Sequence, residues 1–122
     1  MRGRILVVDD EPSILLTLAA ILEREGLEVE TATCSREAIQ KLQTDTYEIV
    51  ITDMHMETET SGYEVVRAAN AQSSVPITII LTGFALQCND WKEHGAHALL
   101  EKPMNAEELL LAIDTLLEPH LG

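Results

Sequence analysis

The stretch Tyr47-Glu48-Ile49-Val50-Ile51-Thr52-Asp53 sets an unbroken β-branched run between polar residues and ends it on a carboxylate. A run this short and apolar reads as a strand buried on both faces. Such strands belong to parallel sheets with helices on either side. Four more apolar runs lie outward from it, at residues 5–8, 27–32, 77–81 and 98–100. Leu27-Glu28-Val29-Glu30-Thr31 alternates, which suits a strand nearer an edge.

Helical patterns separate the runs. Ile14, Leu15, Leu18 and Leu22 recur at helical spacing, with Pro12 near the start and Gly26 just past the end. Ser35 is placed to cap a second helix bearing Ala38, Ile39 and Leu42. Ser61 or Gly62 begins a third, with Val65, Val66 and Ala69, and residues 84–94 form a weaker fourth stopped near Gly95. In the last, Asn105-Ala106-Glu107-Glu108 resembles a capping box headed by Asn, and Leu109, Leu110, Ile113, Leu116 and Leu117 form the inner stripe. The pattern is (βα)5, an α/β fold with right-handed crossovers and a parallel sheet covered on both faces. Without a repeat, linker or low-complexity segment, residues 1–122 read as one domain.

Composition narrows the function. Aromatic residues make up only 3% of the chain, so the core must come from Leu, Ile, Val and Ala. The net charge is −13, from 21 acidic and 8 basic residues, which repels phosphate backbones and anionic headgroups. Direct binding of nucleic acid is therefore not expected, and clustered carboxylates could instead hold a divalent cation. Cys34 and Cys88 form neither a metal-type nor a redox-type pair, which points to a reducing compartment. No apolar stretch approaches the ~20 residues that span a bilayer. Met1-Arg2-Gly3-Arg4 leads straight into a strand rather than a signal peptide, so no membrane association and a cytoplasmic location are expected.

In such a sheet, ligands bind beyond the carboxyl ends of the strands, where strand order reverses. The first run ends in Asp9-Asp10-Glu11, the third in Asp53, the fourth in Thr82-Gly83 and the fifth in Glu101-Lys102-Pro103. Acidic groups, a hydroxyl and an amine thus converge on one edge. Packed carboxylates repel one another, which costs stability unless a cation lies among them. Hard oxygen donors on a rigid frame favour Mg2+, which takes one or two carboxylates plus phosphate oxygens. Lys102 can neutralise a phosphoryl oxygen as a point charge, and Thr82 can donate a hydrogen bond to another. There is no Gly-rich nucleotide cradle, so the phosphoryl group is not expected to arrive on ATP. What remains is a carboxylate that accepts phosphate itself.

Four segments in order, Ile5-Leu6-Val7-Val8-Asp9-Asp10-Glu11, Ile49-Val50-Ile51-Thr52-Asp53-Met54-His55-Met56, Ile79-Ile80-Leu81-Thr82-Gly83 and Glu101-Lys102-Pro103, each sit at a strand end. Together they resemble the receiver domain of two-component response regulators, over the whole chain. The resemblance implies a flavodoxin-like strand order of 2-1-3-4-5. It implies Asp53 as phosphoacceptor, with Mg2+ held by Asp10, Asp53 and the backbone carbonyl of His55, and Asp9 holding a metal-bound water. Thr82 would bond a phosphoryl oxygen and swing toward it on activation. Lys102 would pair with another, aimed by the turn that Pro103 fixes. The implied donor is a phosphohistidine on a sensor histidine kinase or phosphotransfer protein. The acyl phosphate then hydrolyses, so the implied chemistry is self-catalysed and serves signalling rather than enzymatic turnover. A homodimer through the fourth helix, fifth strand and fifth helix is a further option that the family offers.

Three positions depart from the family pattern. Glu57 stands where Pro is usual, and Gly62 comes nine residues after Asp53, one later than expected, in a loop that is acidic and expected to be solvated. Leu99 replaces the Tyr or Phe that reports the Thr82 movement to the surface, so altered coupling is expected. His55 and Phe84 flank the phosphoryl position, where Phe84 is expected to shield the acyl phosphate from water. His94, His97 and His120 lack ligand spacing and read as surface or half-buried residues, and Trp91 reads as a cover for the sheet rather than, with Leu86, a partner contact. Two other functions compete. One is an interaction module that keeps the fold without using phosphorylation. The other is a phosphatase with an aspartyl nucleophile, against which stands His55, where such enzymes carry a second acid.

Overall fold

The computed structural model describes residues 3–83, 90–102 and 105–121. The order is β1 (Arg4–Val8), α1 (Pro12–Arg24), β2 (Glu28–Ala32), α2 (Ser35–Thr44), β3 (Ile49–Asp53), α3 (Ser61–Asn70), β4 (Ile77–Thr82), β5 (Ala98–Glu101) and α4 (Ala106–Leu121). All five strands pair in parallel, in the order β2-β1-β3-β4-β5. That is the order the resemblance implied. Strand order reverses beside β1 and β3, so the loops after those two strands open a crevice at the carboxyl edge.

Strand period and helix period account for the layers. Ile5, Val7, Ile49, Ile51, Ile77 and Ile79 face one side, where they pack with Leu15, Leu18 and Leu22 of α1 and Leu109 and Ile113 of α4. Their alternates Leu6, Val8 and Val50 face the other side, against Ala38 and Leu42 of α2 and Val65 and Ala69 of α3. Every residue of β3 and β4 is buried, whereas β2 keeps only Ala32 buried and lies at the edge, as its alternation predicts. Each fully buried Ile or Leu contributes about 1.5–3 kcal/mol. Truncating Ile51 or Ile79 to Ala should therefore cost about 2–5 kcal/mol once the cavity is included.

The helix ends show which local signals held. Pro12 is in the first turn of α1, and Gly26 follows its end at φ 92°, a conformation that favours glycine. Asn105 caps α4, accepting the Glu108 N–H on Oδ1 at 2.8 Å. The cap of α2 differs from expectation. Cys34, in extended conformation, holds the cap position and its Sγ accepts the Glu37 N–H at 3.5 Å. Ser35 is already helical and gives its own N–H and hydroxyl to Glu57.

Of the segment expected as a fourth helix, residues 84–89 lie outside the described residues. Among the described residues there are four helices, and 90–95 form turns closed by the bonds His94 N–H to Asp90 O, Gly95 N–H to Lys92 O and Ala96 N–H to Trp91 O. The Asp90 carboxylate is engaged by Tyr63 and His94, and Gly95 turns the chain at φ 93°. Phe84, Leu86, Cys88 and Pro103 lie outside the described residues. Among the described residues no helix is long and apolar enough to cross a membrane.

Candidate functional site

The loop after β1 and the ends of β3, β4 and β5 bring the predicted residues together. Asp53 closes β3 opposite Leu81. Asp9, fully buried, accepts the Glu11 N–H on Oδ1 at 2.9 Å and receives Lys102 Nζ on Oδ2 at 3.1 Å. Lys102 Nζ also lies 3.2 Å from Asp53 Oδ1, so one ammonium bridges two buried carboxylates. Asp10 is exposed at the rim, and one oxygen from each of Asp9, Asp10 and Asp53 lies within 4.8 Å of the others.

Backbone contacts aim these groups. The Lys102 N–H donates to the Thr82 carbonyl at 2.8 Å, which ties the β5 end to the β4 end. Thr82 is fully buried there, opposite Glu101. Met54 N–H donates to the Leu81 carbonyl at 2.9 Å, and Gly62 N–H donates to the Met54 carbonyl at 2.9 Å. Gly62 is required at that approach, because a Cβ would come within 2.8 Å of Met54 Cα and 2.9 Å of Asp53 O. His55 is half-buried in the loop that follows.

The electrostatics follow from burial. Desolvation pushes the Asp53 carboxyl above its ordinary value, Lys102 opposes this, and Asp9 and Asp10 add to the rise. Burial acts to lower the Lys102 ammonium, but Asp53 and Asp9 outweigh it and raise the pKa. Three carboxylates therefore face one firmly protonated amine, and the cluster carries an excess of negative charge.

Leu99 pairs with Ile80 across β4 and β5. It packs, half-buried, with Trp91 against Met54, Tyr63, Val66, Ile80 and Ala96, so Trp91 does cover the sheet. His94 and His97 are likewise half-buried, His97 with Nδ1 3.0 Å from the Thr78 amide nitrogen.

Two features escaped the sequence reading. Glu57 is not simply solvated. Its Oε2 accepts the Ser35 hydroxyl at 2.6 Å and the Ser35 N–H at 3.0 Å, tying the loop after β3 to the start of α2. Tyr63, Asp90 and His94 form a second contact set, for which the i,i+4 spacing of Asp90 and His94 was the one available signal.

The model of the response regulator receiver domain matches residues 5–114. The chain belongs to the response regulator receiver domain family. This receiver domain is 34% identical over 116 residues to the transcriptional regulatory protein CpxR homolog of Haemophilus influenzae, an alignment covering 94% of this chain and 50% of that protein. The chain thus spans half the length of that relative. It is similar to chemotaxis response regulator CheY4 of Vibrio cholerae at TM-score 0.85 and 33% identity, covering 94% of this chain and 98% of the other. It is also similar to response regulator protein TrrA of Thermotoga maritima, solved in complex with Mg2+-BeF, at TM-score 0.82 and 34% identity, covering 95% and 99%. Receiver domains are signalling modules rather than classical enzymes, and they interact with histidine kinases or phosphotransfer proteins.

Proposed function

We propose that Asp53 accepts a phosphoryl group from a phosphohistidine of a sensor histidine kinase or phosphotransfer protein. The observation that carries this is the Lys102 ammonium held between Asp9 and Asp53 at 3.1 and 3.2 Å, beside the exposed Asp10. The donor set fits Mg2+, because its carboxylate oxygens are hard ligands gathered within 4.8 Å with negative charge to spare. Asp10, Asp53 and the His55 carbonyl would hold the ion, with Asp9 reaching it through water. Bound there, Mg2+ supplies charge neutralisation for the phosphoryl oxygens.

The chain's own groups do the rest. An Asp53 oxygen forms a bond to phosphorus as the phosphorus–nitrogen bond to imidazole breaks, and the imidazole leaves with the electron pair. Lys102 opposes the effect of burial on Asp53, favouring its ionised form, and then serves as counter-charge to the transferred group. The Thr82 hydroxyl, at the adjacent strand end, hydrogen-bonds a phosphoryl oxygen. Water later cleaves the acyl phosphate and returns the carboxylate, so both steps are self-catalysed.

In this reading residues 1–122 act as one cytoplasmic domain that touches neither nucleic acid nor membrane directly, in keeping with a net charge of −13. A homodimer would use β5 and α4, with the expected fourth-helix segment lying partly outside the described residues. The two competing functions find less support. An interaction module has no need of Asp10 within 4.8 Å of Asp53, nor of Lys102 paired with Asp53, and His55 occupies the place of a phosphatase's second acid.

The test is a titration with beryllofluoride and Mg2+ followed by amide NMR. Saturable shifts at Met54, Thr82 and Lys102 are expected in the parent and not in Asp53→Asn. Equal shifts in both proteins would overturn the assignment.

A further inference from the structure

With Leu99 in place of an aromatic on β5, a different aromatic connects the acceptor to the surface. Tyr63 is the third residue of α3 and is 6% exposed. Immediately before it, Gly62 sits on the acceptor's own peptide, bonded to the Met54 carbonyl and with no space even for a methyl group against Met54 Cα and Asp53 O. A shift of the Asp53–Met54 backbone must therefore move the first turn of α3, since a close-packed interior transmits displacement.

The Tyr63 ring packs with Met54, Val66 and Ile80. Its hydroxyl donates to Asp90 Oδ1 at 2.6 Å. His94 Nε2 lies 3.2 Å from Asp90 Oδ2, and the His94 ring stacks on Tyr63 at 3.7 Å between centroids and 11° between planes. Each of the three groups thus touches the other two, and together they join α3 to the 90–95 turns. None of them belongs to the phosphoryl site. The contacts are made in the arrangement in which Lys102 pairs with the Asp53 carboxylate.

We propose that Tyr63, Asp90 and His94 form a latch that holds the 90–95 turns on α3 while Asp53 is a free carboxylate, and that acyl phosphate at Asp53 loosens it. The latch rests on the reading of Asp53 as phosphoacceptor. A short hydrogen bond and a stacked ring pair depend steeply on position. A displaced Tyr63 cannot keep both, so the contact set has a closed and an open state rather than a continuum. Latch closure and the Asp53 adduct then oppose one another, and by reciprocity weakening one strengthens the other.

The experiment titrates beryllofluoride with Mg2+ into the parent, Tyr63→Phe and Val66→Ala, reading the Met54 amide and the His94 ring protons by NMR. In the parent, the His94 signals should move with the same midpoint as Met54. Tyr63→Phe keeps the ring and removes the hydroxyl, and it should lower the half-saturating concentration about fivefold or more. It should also shrink the His94 shift, because the latch is already open. Val66→Ala perturbs the same apolar cluster without touching the polar contacts and should stay within about twofold of the parent. The latch is overturned by a Tyr63→Phe midpoint within about twofold of the parent or above it, or by Val66→Ala matching Tyr63→Phe. Adduct shifts at Met54 with an unmoved His94 ring would remove the latch alone. No adduct on the parent would remove the reading of Asp53 and the latch with it.

Discussion

Replacing Gly62 by Ala should unsettle the whole acceptor corner, and the size of the effect follows from the packing. The added Cβ would lie 2.8 Å from Met54 Cα, 2.9 Å from Asp53 O and 3.1 Å from Met54 Sδ. Carbon atoms pack at about 3.5–4.0 Å, so the backbone would have to retreat by about 0.7 Å or more. Met54 cannot retreat freely, because its N–H is bonded to Leu81 and its carbonyl to Gly62. Forced overpacking of this kind costs about 1–3 kcal/mol. Ala recovers at most about 1 kcal/mol of helix propensity, and less in a first turn. The net loss is about 1–2 kcal/mol, a fall of roughly 3–8 °C in Tm for a domain of this size. Gly83→Ala is the matched control, since among the described residues nothing lies within 4 Å of its added methyl, and its Tm should stay level or rise slightly. Thermal and urea unfolding of both proteins, followed by circular dichroism, decide the matter. Equal Tm values for the two variants would refute the claim that α3 rests on the acceptor peptide without clearance.

Other outcomes follow from the same contacts. Lys102→Ala leaves Asp9 and Asp53 buried without their ammonium, and urea unfolding in EDTA should show a loss of about 3 kcal/mol. Added Mg2+ should restore part of it by binding the folded state, and no recovery would count against the carboxylate cluster as the ion's site. Glu57→Ala removes the acceptor of the Ser35 N–H and hydroxyl at the start of α2, and should cost about 0.5–1 kcal/mol with faster amide exchange at Ser35; unchanged stability and exchange would show that the contact does not hold α2. The Asp90 carboxyl is held below its ordinary value of 3.8, chiefly by the Tyr63 hydroxyl and further by a backbone N–H and His94, against desolvation. A depressed carboxyl contributes stability above its unfolded pKa and loses it as pH falls through the folded one. Carboxyl 13C titration should therefore place Asp90 below the usual range in the parent and nearer it in Tyr63→Phe.

The fold was legible because its signals are local. Ile49-Val50-Ile51 and Ile77-Thr78-Ile79-Ile80-Leu81 could only be strands covered on both faces, and the alternation at residues 27–31 marked the edge before any pairing was seen. The site was legible for the same reason, since Asp9, Asp10, Asp53, Thr82 and Lys102 each end or follow a strand. The missed features depend on side chains meeting across elements. Glu57 reaches Ser35 over 22 positions, and Tyr63 reaches Asp90 over 27, distances at which sequence carries no periodic signal. Cys34 holds the cap because its backbone is extended at the helix start, where Ser35 is already helical. The fourth helical pattern falls largely on residues 84–89, outside the described residues, and the turns at 90–95 carry the contacts of Asp90 to Tyr63 and His94.

The proposed latch at Tyr63 and the altered coupling expected at Leu99 both presuppose chemistry at one carboxylate. Incubation with acetyl phosphate and Mg2+, followed at once by intact-protein mass spectrometry and peptide mapping, tests that chemistry most directly. The account predicts a single phosphoryl adduct on the peptide containing Asp53, dependent on Mg2+ and absent from Asp53→Asn. A parent that gains no mass, or an adduct that persists in Asp53→Asn, would contradict it.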